Sequence, residues 1–280
     1  MFLVRWVSRL PWKIIYTLSD LLFFIAYYLL QYRKDVVKNN LMLAFPEKSQ
    51  QERNIIAKQF YRNLCDVILE IIKTLTISVE ELNERIRVAN PELLEEYLQS
   101  NQSVIVMTGH LGNWEWIPQV LKPMFPQYSF CPVYKQLSDA FSNNLMLQIR
   151  SRFGIEPILK EHTLREVAKR RKAGQVFCLG LVADQSPAKH ELEFKTNFFN
   201  IPTYFYTGGE KLARQTGFPV LYAVVQRLKR GCYVLEFEKL QPSLQSSNQI
   251  IKTYVDLLEK SIKKQPADWL WSHKRWKFSY

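Results

Sequence analysis

The sequence has few cysteines and none in the close spacing that marks a redox or zinc site. Its 280 residues contain four cysteines, and no two of them form a Cys-x-x-Cys pair. Zinc sites and redox pairs need such spacing, so neither is indicated. A Gly-x-Ser-x-Gly nucleophile elbow is also missing, which argues against a serine acyl-enzyme. We therefore predict no metal ion, no cofactor and no oxidising compartment.

Acidic residues are scarce relative to basic ones. The chain has 38 Lys and Arg against 26 Asp and Glu, a formal net charge of +12. This balance favours an acidic partner, such as an anionic membrane face, a phosphorylated lipid or an acidic carrier protein. The 14% aromatic content with seven tryptophans favours a membrane interface. No RNA-recognition, helix-turn-helix or zinc-finger pattern is present, so nucleic acid is not predicted as a partner.

An apolar run lies near the N-terminus, over residues 14–32, with its centre at Leu21–Leu30. Basic residues flank it on both sides, and no small-residue cleavage site follows, so a removed signal peptide is not indicated. Asp20 would be costly at the middle of a bilayer. We interpret residues 1–32 as an uncleaved anchor helix that dips into, or barely spans, the cytoplasmic leaflet. The alternative is a buried core helix.

After residue 32, the spacing of apolar residues changes once, from a helical period to short runs typical of strands. Residues 33–100 are predicted to be helical, including a helix over 49–74. Short apolar runs rich in β-formers follow at 104–107, 176–182, 220–225 and 233–237. Helical patterns lie between or after them, at 114–121, 143–153, 163–173 and 249–264. Alternating strands and helices predict an α/β domain over residues 33–280, with a mixed central sheet flanked by helices.

A histidine and a carboxylate follow the first of these strands. The run over 104–107 ends in Thr108 and Gly109 and delivers His110 to a turn, and Glu115 comes five residues later. Histidine is suited to accept a proton near neutral pH, and a carboxylate can hold its second ring nitrogen. On a continuous helix the two would lie roughly 140° apart, so they pair only if His110 precedes the helix. We predict His110 as general base, oriented by Glu115.

Other polar residues near strand ends are candidates for substrate binding. Asp184 and Gln185 follow a strand, where α/β sheets place ligand contacts, although Asp184 could instead cap a turn. Arg227 could bind phosphate, or pair with Asp184 or Glu236. Arg150, with Arg152 as an alternative, is a second candidate for phosphate.

Two residues of the histidine turn and one basic cluster complete the candidates. Asn113 and Trp114 could contact substrate, and Trp114 could pack under an acyl chain or only in the core. The cluster over residues 169–172 is either a solvated helix face or a docking site for an acidic carrier.

The turn around His110 resembles the H-x4-E signature of the late acyltransferases of lipid A biosynthesis, which belong with the wider H-x4-D/E glycerolipid acyltransferases. Further segments resemble that family in the same order over nearly the whole chain: Asn39-Asn40-Leu41, Ala44-Phe45-Pro46-Glu47, Ala183-Asp184-Gln185, Asn197-Phe198-Phe199, Thr207-Gly208-Gly209 and Gly217-Phe218-Pro219-Val220 leading to Arg227. Two positions depart from the pattern. Asn200 stands where a glycine is usual, and Lys135 stands where many members carry Arg, which weakens a phosphate-binding role for Lys135.

The resemblance implies a glycerolipid-acyltransferase-like fold and an O-acyltransferase at the cytoplasmic face of the inner membrane of a Gram-negative bacterium. The donor would be acyl carrier protein or acyl-CoA, and the acceptor a phosphorylated glycolipid of the lipid A precursor class. Two alternatives remain. The enzyme could acylate another lipid, such as a lysophospholipid, an aminolipid or a glycosylated phosphatidylinositol, or the protein could bind membrane lipid without catalysis.

Overall fold

A computed structural model describes residues 2–240 and 248–278 of the chain. The helices, in chain order, are α1 (Phe2–Ser8), α2 (Trp12–Phe24), α3 (Lys34–Ala44), α4 (Gln50–Lys73), α5 (Val79–Asn83), α6 (Glu92–Gln99), α7 (Trp116–Met124), α8 (Ala140–Arg150), α9 (Thr163–Lys172), α10 (Gly208–Thr216) and α11 (Gln249–Lys264). The strands are β1 (Ile86–Val88), β2 (Val104–Thr108), β3 (Ser129–Tyr134), β4 (Ile158–Leu159), β5 (Phe177–Val182), β6 (Phe194–Phe198), β7 (Ile201–Phe205), β8 (Val220–Lys229) and β9 (Cys232–Lys239).

Seven of these strands form one central sheet, in the order β1-β9-β8-β2-β5-β3-β4. Its neighbouring strands are parallel except for β8 and β9, which form an antiparallel pair. Strands β6 and β7 form a separate antiparallel hairpin. The predicted α/β class with a mixed sheet flanked by helices is confirmed.

The sheet is covered on both faces, which explains the continuous apolar runs of its central strands. All five residues of β2 are buried. Ile105 and Met107 pack into one hydrophobic cluster with α11, whereas Val104 and Val106 pack into another with α7. Side chains alternate along a strand, so a strand between two helical layers needs apolar residues at every position.

Several element boundaries agree closely with the sequence pattern, and others differ. Helix α4 begins after Ser49, whose side chain accepts a hydrogen bond from the backbone N–H of Glu52 in a capping box. Helix α11 covers the predicted range of 249–264. The predicted all-helical stretch of 33–100 is wrong at β1, which pairs with β9. Strands β3, β4, β6 and β7 were not predicted.

The N-terminal helices pack against the body of the domain. Helix α2 continues into a π-helical segment, Ile25–Leu29, and lies along α4. One apolar stretch, Trp12–Leu29, is long enough to cross a membrane by length and composition, and only 17% of it is buried. The division of the chain at residue 32 stays a prediction.

The turn after β2 depends on a glycine at residue 112. Gly112 has φ +54°, and a Cβ atom there would lie 2.7 Å from the backbone oxygen of Val225. We expect Gly112→Ala to lower the free energy of unfolding by about 2 kcal/mol or more, because backbone strain and a clash add up. Urea unfolding would measure this. Gly208→Ala is the matched control, because a Cβ at Gly208 meets nothing within 4 Å. An equal loss in both variants would contradict this account.

Candidate active site

His110 lies in the turn at the carboxyl end of β2, in the middle of the sheet. Its backbone N–H donates to Asp184 Oδ2 over 2.8 Å, and its carbonyl oxygen accepts from the N–H of Leu270 over 3.1 Å. The side chain is 16% exposed, so it reaches solvent while its backbone is fixed. This is the edge at which open α/β sheets bind their ligands.

Asp184 is the carboxylate that pairs with His110. Strands β2 and β5 are parallel neighbours, with Thr108 opposite Val182, so the segments that follow them lie side by side. Asp184 Oδ1 lies 2.6 Å from His110 Nδ1, and Asp184 Oδ2 also accepts a hydrogen bond from Trp269 Nε1 over 2.7 Å. Burial alone would raise the pKa of Asp184. The charge of His110 and the hydrogen bonds from His110 and Trp269 outweigh it and lower that pKa to about 2.

The paired carboxylate sets the tautomer of the imidazole. An ionised carboxylate can only accept, so neutral His110 carries its proton on Nδ1. The lone pair is then on Nε2, which lies 3.2 Å from the side-chain amide nitrogen of Gln185. Nε2 can therefore accept a proton from a substrate hydroxyl, and the resulting imidazolium is stabilised by Asp184.

The predicted pairing of His110 with Glu115 is wrong. Glu115 binds Arg150 instead, in a two-pronged ion pair in which Arg150 Nε donates to Glu115 Oε2 over 2.9 Å and Arg150 Nη2 donates to Glu115 Oε1. Helix α7 begins only at Trp116, so Glu115 is the residue before its first turn rather than a member of the helix. In this position its side chain reaches α8.

An apolar cleft opens next to Trp114, and the space of about 590 Å³ that it outlines includes open solvent. The ring of Trp114 borders it and meets the ring of His110 edge to face, with centroids 4.8 Å apart. The Glu115–Arg150 pair lies in the same wall. The remaining lining comes from β2, β3, β5 and α7, and includes Val106, Ile117, Phe130, Val133, Gly180 and Val182. A concave apolar site with a few convergent polar groups is typical of a small-molecule or lipid-chain pocket.

Three further candidates lie elsewhere. Asn113 is fully buried and donates to Glu70 Oε2 over 2.9 Å, so it fixes the turn from behind. Arg227 pairs with Asp268 over 3.1 Å and with Asp66 over 3.4 Å, rather than with Asp184 or Glu236. Lys135 is exposed just after the end of β3. Trp114, Glu115 and Arg150 thus line the cleft, and the group of His110, Asp184 and Gln185 adjoins it through the contact between the rings of His110 and Trp114.

The C-terminal tail supplies contacts that the sequence did not reveal. Trp269 and Trp271 are buried, and Leu111 forms a bridge with Trp269 that closes the tail over the histidine turn. His273 Nε2 accepts the backbone N–H of Ser186 over 3.0 Å, directly after Gln185. The tail mixes aromatic and basic residues in the sequence, but this composition did not indicate which strand-end loop the tail would support.

Comparison with known proteins identifies the class to which this site belongs. The sequence model of the bacterial lipid A biosynthesis acyltransferases matches residues 1–278. The chain belongs to this family. The sequence-based identification is confirmed, and the protein is an acyltransferase of lipid A biosynthesis. No match among curated proteins reaches significance.

The partly buried His273 makes stability depend on pH. Burial is the main cause that lowers the pKa of His273 from 6.5 to about 4. The unfolded chain therefore binds a proton first as the pH falls, so this stability is present above about pH 6.5 and lost toward pH 4. Between pH 7.5 and 5, His273 should cost the wild-type protein about 2 kcal/mol of its free energy of unfolding. We expect His273→Gln, which keeps an acceptor for Ser186, to remove this part of the pH dependence. Urea midpoints at both pH values test this, and equal pH slopes in the two proteins would refute it.

Proposed function

We propose that the protein transfers a fatty acyl chain from an acyl thioester to a hydroxyl group of a phosphorylated glycolipid of the lipid A precursor class. The observation that carries the proposal is the 2.6 Å pair of His110 Nδ1 and Asp184 Oδ1, which Trp114 connects to an apolar cleft. The pair provides a base at Nε2, and the cleft provides a place for a hydrocarbon chain. Acyl carrier protein is the proposed donor, with acyl-CoA as the alternative.

The proposed reaction is a direct transfer. The acceptor oxygen attacks the thioester carbonyl carbon while His110 Nε2 takes the hydroxyl proton, and Asp184 stabilises the imidazolium. The carbon–sulfur bond then breaks, and the leaving thiolate recovers the proton from His110. A thiol has a pKa of only about 8.5, so the thiolate leaves readily and no enzyme nucleophile is needed. The products are an ester and a free thiol.

We assign binding roles to the remaining residues around the cleft. Trp114 and the strand residues of the cleft would pack against the acyl chain. Arg150 uses Nε and Nη2 for Glu115, which leaves Nη1 to bind a phosphate or carbonyl oxygen at the cleft wall. Gln185 would release Nε2 of His110 when the hydroxyl arrives. Lys135 remains a second candidate for phosphate.

Membrane association is part of the same proposal. The apolar stretch Trp12–Leu29 and the lipid substrates of the family support a location at the inner membrane, with the catalytic residues on the cytoplasmic side. Two experiments distinguish the alternatives, which are another lipid acceptor and a lipid-binding protein without catalysis. Profiling the lipids that accumulate in a deletion strain separates the acceptors, and activity of the purified enzyme separates a catalyst from a lipid-binding protein.

Substitutions at the proposed base and its partner provide the main test. We expect His110→Ala and Asp184→Asn each to lower kcat by at least about a hundredfold, because general-base catalysis contributes that much. Glu115→Gln should act through Arg150 and raise KM more than it lowers kcat. Steady-state kinetics with acyl carrier protein thioesters would measure both. His162→Ala, at an exposed histidine, is the control.

Two results would overturn these assignments. Near-normal turnover in folded His110→Ala protein would remove the mechanism. A Glu115→Gln variant that loses kcat as fully as Asp184→Asn, with KM unchanged, would restore Glu115 as the partner that acts on the histidine.

The basic cluster on α9 is proposed as the docking site for acyl carrier protein, which is strongly acidic as a class. Lys169, Arg171 and Lys172 are exposed, whereas Arg170 is only 12% exposed and pairs with Glu156 over 2.7 Å. The three exposed cations can reach a partner, although the guanidinium of Arg171 also lies 5.7 Å from the ring centroid of Phe218, and Arg170 holds the helix to the domain. Lys160, another cation that could contact an acidic carrier, pairs with Glu191.

Reversing the three exposed charges to Glu should raise the apparent KM for acyl carrier protein by about tenfold, because steering charges govern encounter. Activity with a small soluble thioester should stay unchanged, and salt should reproduce the effect by screening over about 8–10 Å. Lys252, Lys260 and Lys264 on α11, changed together to Glu, are the control with the same change in net charge. Equal losses with both donors, or in the control, would contradict the docking role.

A further inference from the structure

Helix α2 has one face against the domain and one apolar face in solvent. Its buried residues, Ile15, Ser19 and Phe23, recur every four positions and face α4. The opposite stripe consists of large apolar side chains that are each about half exposed: Ile14 46%, Leu21 55%, Phe24 50% and Tyr28 46%. Helix α1 adds Phe2 at 86%, Leu3 at 70% and Trp6 at 56%. A contiguous exposed patch of this kind marks an interaction site.

Polar contacts hold the inner face of α2 to the domain. Ser19 Oγ donates to Asp66 Oδ1 over 2.6 Å, and Tyr16 donates to Glu70 Oε1 over 3.1 Å. Both acceptors lie on α4 and are almost completely buried. Asp20 is paired with Arg230 at 2.8 Å, at the turn between β8 and β9.

These contacts are incompatible with a helix that crosses the bilayer. A crossing helix would have to leave α4, which would carry Tyr16, Ser19 and Asp20 into hydrocarbon without partners. The same movement would strip donors from the buried carboxylates of Asp66 and Glu70. The helix is instead bound on one side and open on the other, as in proteins that lie in the interface plane.

Cations surround the open face. Arg5, Arg9 and Lys13 lie on or next to α1 and the start of α2. On the far side, Lys34 Nζ lies 4.3 Å from the ring centroid of Tyr27, and Lys58 Nζ lies 5.9 Å from that of Tyr28. Aromatic rings with adjacent cations suit the headgroup region of an anionic leaflet, where the rings enter the acyl boundary and the cations meet phosphate.

We propose that the outer face of α1, α2 and the following π-helical segment lies flat on an anionic lipid surface, and that both ends of the segment stay on the same side of the membrane as the catalytic domain. This inference rests on the membrane association in the proposed function and specifies its geometry. It does not depend on the identity of the acyl donor or acceptor.

Vesicle flotation tests the face itself. The full-length protein is mixed with vesicles of neutral phospholipid containing phosphatidylglycerol, and the double variant Leu21→Asp with Phe24→Asp is compared with it. We expect partitioning of the variant to fall by about tenfold or more, because two large apolar side chains are lost from the interface. Leu164→Asp is the control, since Leu164 is 64% exposed on α9. Unchanged partitioning in the double variant, or an equal loss in the control, would overturn the proposal.

Sidedness tests the geometry. Single cysteines at the exposed positions Arg9 and Lys38, on either side of the segment, are labelled with a membrane-impermeant thiol reagent in a Cys232→Ser background. The proposal expects both to react in inside-out vesicles and neither in right-side-out vesicles. Labelling from opposite sides would mean that the segment crosses the bilayer and would overturn it.

An activity measurement separates this inference from the proposed function. Acyl transfer to a detergent-dispersed acceptor by the Leu21→Asp, Phe24→Asp variant should match the unaltered protein, because neither residue lines the cleft. Normal transfer with lost flotation supports the docking face. Flotation that is lost together with detergent activity would show general damage to the fold and would overturn the assignment of these residues to lipid contact alone.

Discussion

The carboxylate of Asp184 connects three parts of the chain that are far apart in sequence. It accepts hydrogen bonds from the backbone and ring of His110 after β2 and from the indole of Trp269 in the C-terminal tail. Asp184 itself follows β5. A buried carboxylate without donors would be destabilising, so the two strand ends and the tail must all be in place before it is satisfied. The histidine site is therefore complete only when both strand ends and the C-terminal tail are in place.

Much of the fold follows from local pattern, but the partner of His110 does not. The apolar runs that became β2, β5 and β8 and the amphipathic pattern of α11 are properties of short windows. His110 could be located because it follows such a run. Its pairing with Asp184 depends on which strands are neighbours. The residues close to His110 in the sequence do not indicate that β5 lies next to β2. Glu115 was predicted as the partner because it lies close to His110 in the sequence, and this prediction is wrong.

The strands that were missed have physical reasons for being inconspicuous. Strand β3 contains Pro132, which lacks a backbone donor and is typical of an edge or a break rather than an inner strand. Strand β4 has only two residues. The β6–β7 hairpin turns at Phe199 and Asn200, both with positive φ, and a phenylalanine in that conformation gives no turn signal in sequence. Tertiary packing determines the structure at these places.

Glu70 connects the proposed membrane-binding helix α2 with the turn that carries His110. This fully buried carboxylate accepts hydrogen bonds from Tyr16 on α2, from Asn113 in the histidine turn and from Tyr233 in β9, and burial raises its pKa. The surface helix and the turn that carries His110 thus share one acceptor. Removal of α1 and α2 would therefore do more than detach the protein from a membrane. The shortened protein would carry a buried carboxylate that has lost one hydrogen-bond donor directly behind the turn that holds His110.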